Sequence, residues 1–151
     1  MKNLLNYKKE LIAGLVSMII LGGLIILAGK NIGNTNVKFE VVHEKQIPRE
    51  ISSEILPEYR NLERAMACIC EDQVFVIVTR GEKPSPGYEV EITKITLESK
   101  KDKTKLKVYA NFVDPENSEN LPQVLTYPVA VAKAHITGLP DNIELISEFV
   151  E

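Results

Sequence analysis

Nucleophilic catalysis needs a Ser, Cys or Thr held beside a base, and bases are scarce in this chain. His43 and His135 are its two histidines, in separate segments and outside any recognisable motif. Cys68 and Cys70 are its two cysteines, two positions apart in what reads as the start of a strand, so they share one face. A disulfide closing so short a loop is strained, and a metal site needs more ligands than the sequence groups nearby. They read as two small buried or half-buried thiols, with redox or intermolecular pairing as the other reading; a Cys–His135 couple could form only through folding. No HxxxH, CxxC or clustered carboxylate loop occurs, and Asp114, Glu116 and Glu119 read as solvated loop charges. Gly81 to Gly87 (GEKPSPG) leads into a strand instead of a helix, so it is no phosphate cradle. These residues point away from an enzyme and imply neither cofactor nor metal.

The same loop is the most unusual feature of the chain. Pro84 and Pro86 stiffen it, Gly81 and Gly87 permit positive φ, and Tyr88 follows at once. A preorganised loop costs little entropy to bind, so Gly81 to Tyr88 is a candidate contact surface for another protein. The competing reading is a sharp turn between two strands with Tyr88 packed inward.

The elements that would position this loop follow from hydrophobic periodicity. Val37, Phe39 and Val41 alternate with polar residues as in a half-buried strand. Ile51, Ile55, Tyr59, Leu62 and Met66 fall on one helical face; because Pro57 suits a first helical position, the spacing predicts a helix over about Pro57 to Ala67 after a looser turn. Val74 to Val78 is too uniformly apolar for an exposed edge and predicts a central strand. Tyr88 to Leu97 and Leu106 to Phe112 predict a hairpin across the charged turn Lys100 to Lys103, with a change of parity that suggests a bulge near Thr93. Asp114 to Pro122 is a polar loop, Val124 to Lys133 a strand containing Pro128, and Ile143 to Val150 a last short strand. The expected fold is α+β, a mostly antiparallel sheet of about five to six strands with one packed helix, preceded by a single transmembrane helix.

That transmembrane helix rests on Leu11 to Ala28, 18 consecutive positions without a charge, which at 1.5 Å per residue span about 27 Å. No convincing cleavage site follows, so the segment reads as an uncleaved anchor and not a signal peptide. Lys2, Lys8 and Lys9 place the short tail inside. The expected organisation is a cytoplasmic tail (1–10), a membrane helix (11–29), a linker (30–36) and an extracytoplasmic domain (37–151). From Lys38 onward there are 14 Lys and Arg against 20 Asp and Glu, so the domain carries about six net negative charges, which argues against nucleic acid.

Gly81-Glu82-Lys83-Pro84-Ser85-Pro86-Gly87-Tyr88-Glu89-Val90, followed some forty residues later by Thr126-Tyr127-Pro128, resembles the C-terminal domain family of the protease complex subunit PrcB. The resemblance covers roughly Pro57 to Ala134. It implies a non-catalytic accessory or stabilising subunit of an extracytoplasmic protease. The expected partner is that protease or another envelope protein, and the expected contact residues are Gly81, Pro84, Ser85, Pro86, Gly87, Tyr88, Thr126, Tyr127 and Pro128. Two positions depart from the family pattern: Pro86 stands where the loop usually has Gly, and Lys30 stands where a lipoprotein member would carry its lipid-bearing Cys. The loop also looks like the binding loop of chagasin-like cysteine protease inhibitors, which makes inhibition through Gly81 to Tyr88 the alternative.

Overall fold

The computed structural model describes residues 33–116 and 121–150. The expected tail (1–10) and membrane helix (11–29) lie outside the described residues. Among the described residues no helix is long and apolar enough to cross a membrane.

Among the described residues, the unit that begins at Asn34 contains eight strands. They are β1 (Asn34–Asn36), β2 (Phe39–Val42), β3 (Glu63–Cys70), β4 (Gln73–Arg80), β5 (Glu89–Lys100), β6 (Lys103–Val113), β7 (Val129–Ala134) and β8 (Asn142–Val150). They form two four-stranded sheets, ordered β1-β5-β6-β8 and β2-β7-β4-β3. All pairings are antiparallel except β6 with β8. The fold is therefore α+β and mostly antiparallel as expected, but its strands are divided between two sheets instead of forming one.

Two layers of contact explain the division. Val76 and Val78 of β4 and Ala132 and Ala134 of β7 meet Ile92, Ile95, Leu106, Val108, Ala110 and Phe112 of the other sheet in one buried cluster. The opposite side chains of the same strands, Phe75, Ile77 and Val131, pack with Ile51, Cys70 and the half-buried Ile47, Ile55 and Leu56. The β2-β7-β4-β3 sheet is thus covered on both faces, which is why Val74 to Val78 is apolar at every position. The β1-β5-β6-β8 sheet is covered on one face only. Its β6 alternates buried Leu106, Val108, Ala110 and Phe112 with more exposed partners, and the outer face carries the ion pairs Lys107–Glu98 and Lys105–Glu144, each 2.7 Å.

The helical layer is shorter than its periodicity implied. A π-helical turn (Ile51–Ile55) runs into one α-helical turn, α1 (Leu56–Tyr59), and Glu63–Cys70 is β3, where a helix was expected to Ala67. Over 63–70 the side chains also alternate: Ala65 and Ala67 face the sandwich, while Met66, Cys68 and Cys70 face the helical layer. Eight register pairs with β4, Glu63↔Arg80 to Cys70↔Gln73, outweigh the local helical preference. Met66 reaches the expected core from a strand.

Three further readings are refined. The expected linker contributes β1, since Asn34–Asn36 pair with Thr96–Glu98. The strand expected over Val124 to Lys133 becomes regular only at Val129. The bulge appears where the parity changed, with the β5–β6 register shifting between Ile92 and Lys94.

Both tight hairpins turn on two residues with positive φ. Glu71 and Asp72 join β3 to β4 at φ 49 and 58, and Lys101 and Asp102 join β5 to β6 at φ 48 and 63. These are the left-handed conformations of a type I′ turn, for which Asn-Gly is favoured, and neither turn contains glycine. Replacing Glu71-Asp72 by Asn-Gly is expected to raise stability by about 1–2 kcal/mol by relieving two strained side chains. Chemical denaturation of the two chains, with an unchanged m value, checks this.

Candidate functional site

The site is built on Arg80, the last residue of β4. Even-numbered side chains of β4 face the sandwich, so the guanidinium enters the core at the end where the GEKPSPG loop emerges. Arg80 is 2% exposed. Its Nη1 donates to the carbonyl of Val113 at 2.6 Å and, more weakly, to that of Glu89 at 3.4 Å. Its Nη2 pairs with the carboxylate of Asp114, which is itself well solvated. Its Nε has no hydrogen-bond partner among the described residues. Three rings surround the cation, with centroids 4.9 Å (Phe112), 5.2 Å (Tyr88) and 5.6 Å (Phe149) from Cζ. Phe112 and Phe149 meet edge to face at 5.7 Å. One side chain therefore ties β4 to the start of β5, the end of β6 and the end of β8.

From this base the chain turns at Gly81, φ +76, where a Cβ would stand 3.3 Å from the Asn61 carbonyl oxygen. Lys83 and Thr126 then exchange a pair of backbone hydrogen bonds, both 2.9 Å. The Thr126 hydroxyl donates to the carbonyl of Ser85 at 2.8 Å, and the Tyr127 hydroxyl donates to Glu82 Oε2 at 2.8 Å. That carboxylate raises the Tyr127 pKa by favouring the protonated phenol. The Arg60 guanidinium lies 4.3 Å over the Tyr127 ring. The loop leaves through Gly87, φ +95, where a Cβ would come within 3.0 Å of the Pro115 side chain. At both positions a side chain would be strained by the positive φ and would have to press its neighbour back by a few tenths of an ångström.

The structure thus brings together all nine candidate residues. Thr126 and Tyr127 latch the loop from one side, and the carbonyl of Pro128 accepts from the Arg80 N–H at 3.1 Å. Ser85 is buried under the loop, while Pro84 and Gly87 are exposed and Pro86 is half-buried. Tyr88 packs inward over Arg80, so it supports the loop and is not its tip. Beside the latch, Val124 and Leu125 are 57% and 58% exposed. The central role of Arg80 went unread in the sequence, although an arginine ending an otherwise apolar buried strand was its visible signal.

Cys68 and Cys70 are free thiols at the far end of β3, not at the start of a strand. Burial, reinforced by the neighbouring Cys70, pushes the Cys68 thiol up to about 12, the opposite of an activated nucleophile. Among the described residues no group of three or more His, Cys, Asp and Glu is placed to hold a metal.

The sandwich carries a latched, proline-stiffened loop with an apolar shoulder beside it. Residues 74–134 match the family model described as PrcB C-terminal, so the domain is PrcB_C-like. The match runs from β4 to the end of β7, which includes Arg80, the loop and its latch. No curated protein and no solved structure matches the chain.

Two consequences can be measured. Removing the carboxylate in Asp114→Ala leaves the buried cation short of its counter-charge and should cost about 2–3 kcal/mol, at the low end for a buried pair because Asp114 is solvated. Arg80→Met removes the charge but strands two carbonyls, at about 1–3 kcal/mol. The double variant should be no less stable than Asp114→Ala alone; additive losses in a denaturation cycle would refute the coupling. For Cys68, the raised folded pKa means that stability is fully present below the unfolded thiol value of about 8.5 and declines as the pH rises toward 12. At pH 8 native-state alkylation of Cys68 should run at least about a hundredfold slower than in the denatured chain, read by mass spectrometry.

Proposed function

We propose that this domain is a non-catalytic binding module that serves a protease complex, and that residues 11–29 hold it at the outer face of a membrane. The observation that carries the reading is the double latch on the Gly81 to Tyr88 loop. Arg80 fixes its base and Thr126 fixes its middle, so the loop presents Pro84 in one conformation with Val124 and Leu125 beside it. The loop is already ordered within the fold, which lowers the entropic cost of binding a partner. The match to the PrcB C-terminal family supports the protease setting. The raised Cys68 pKa supports a role without thiolate chemistry.

Photo-crosslinking from position 84 or 125 in intact cells is expected to capture an extracytoplasmic protease or its complex. The pair Pro84→Glu and Leu125→Glu should reduce recovery of that partner about tenfold or more while leaving the thermal transition unchanged. Unchanged recovery would remove the loop from the account. Dose-dependent inhibition of a papain-like protease by the full chain would replace the accessory role with an inhibitory one.

A further inference from the structure

The ladder between β7 and its neighbours stops unevenly. β2 pairs with β7 only from Val131 to Ala134 and then departs at His43, whereas β4 pairs with β7 down to Val129. Backbone directions along β7 follow from two bonds. The Pro128 carbonyl accepts from Arg80 on β4, so even-numbered residues face β4; the His135 N–H donates to the Lys38 carbonyl, so odd-numbered residues face the β2 side. Val129 and Tyr127 therefore turn their N–H and C=O groups toward the space β2 has left, and those groups have no hydrogen-bond partner among the described residues.

That space is a groove of about 690 Å³ with walls on both sides of the strand edge. Val90 and Ala130 line it on the side of the sandwich core, and Ile47, Leu56 and Val131 line it on the side of the helical layer. An incoming strand would place alternate side chains against these two walls while its backbone met the open edge. Arg60, over Tyr127 at the rim, has no carboxylate partner among the described residues. We propose that the β7 edge at Tyr127–Val129 receives an extended peptide segment of a protein partner as an added strand. The segment carries apolar side chains on both of its faces, one set for each wall, and a carboxylate that reaches Arg60. The proposal rests on the binding-module reading and gives it a recognition chemistry, separate from contacts at the loop tip.

A display library of nine-residue peptides, randomised in sequence, selected on the full chain provides the probe. The selected peptides should carry consecutive apolar positions over the groove, as befits a strand covered on both faces, with an acidic residue at the rim, and bind the wild type at least about tenfold tighter than Val129→Pro, which removes one outward N–H. The β4 ladder survives this change because the Val129 N–H does not point to β4, and an unaltered circular dichroism spectrum confirms it. N-methylation of alternate amides should abolish binding in one register and spare it in the other. Arg60→Glu should reverse the preference for an acidic residue. Pro84→Glu with Leu125→Glu should leave peptide binding intact, so loss of the cellular partner in that variant and loss of peptide binding in Val129→Pro report on different claims. Failure to select any peptide, equal binding to Val129→Pro, or indifference to N-methylation would overturn the proposal. So would a wild-type dimer that Val129→Pro dissociates, because the edge would then belong to a second copy of this chain.

Discussion

The end of the sandwich that carries the loop is organised by a buried positive charge. A guanidinium withdrawn from water is tolerated only where its charge and most of its hydrogen bonds are met, and Arg80 draws these from three directions, with Nε left without a partner among the described residues. Two carbonyls at the ends of β5 and β6, the carboxylate of Asp114 and three aromatic faces must converge on one point. Convergence fixes where β5 begins, where β6 ends and where Phe149 of β8 lies. A uniformly apolar plug could fill the same volume, but it would place no directional demand on the backbone. The loop is positioned because its base belongs to a group that tolerates little displacement.

The second organising feature is the unequal covering of the two sheets. Covering both faces of the β2-β7-β4-β3 sheet lets β4 be apolar throughout, and it recruits the short helical segment around Ile51, itself fully buried, as a third layer. The solvated sheet instead uses cross-strand ion pairs and the Thr104–Asp141 hydrogen bonds, 2.7 and 2.8 Å, to fix the parallel entry of β8 beside β6. The Thr104 donors hold the Asp141 carboxyl below its ordinary pKa.

What was legible in the sequence followed from period and punctuation. The β5–β6 hairpin, its bulge and the central strand at Val74 to Val78 were readable because each signal is local. The loop and its Thr126-Tyr127-Pro128 partner were readable together only through the family resemblance, since their separation of some forty residues carries no periodic trace. The helix expected to Ala67 failed because Tyr59, Leu62 and Met66 satisfy a helical spacing while Ala65, Met66, Ala67 and Cys68 satisfy a strand equally well; non-local pairing with β4 decides between them. The β3–β4 turn added to the ambiguity, because Glu71-Asp72 adopts positive φ without glycine to announce it. The division into two sheets was hidden for a similar reason. An inward-facing residue does not state which sheet it faces.

A seven-residue stretch, Val124 to Ala130, joins the latch of the loop to the open strand edge through the alternation of its backbone. Thr126 faces the loop, returning both of its backbone bonds to Lys83, while Tyr127 and Val129 turn theirs outward. Pro128 stands between them in register with Arg80. Its carbonyl still accepts from Arg80, but it has no N–H to return, so the regular ladder ends there and the chain is released toward Gly81. A residue able to donate at that position would favour extending the ladder past Arg80 and pulling the loop flat against β7. Proline at 128 therefore separates a sheet that must continue from a loop that must rise, beside the edge that β2 leaves open where it departs at His43.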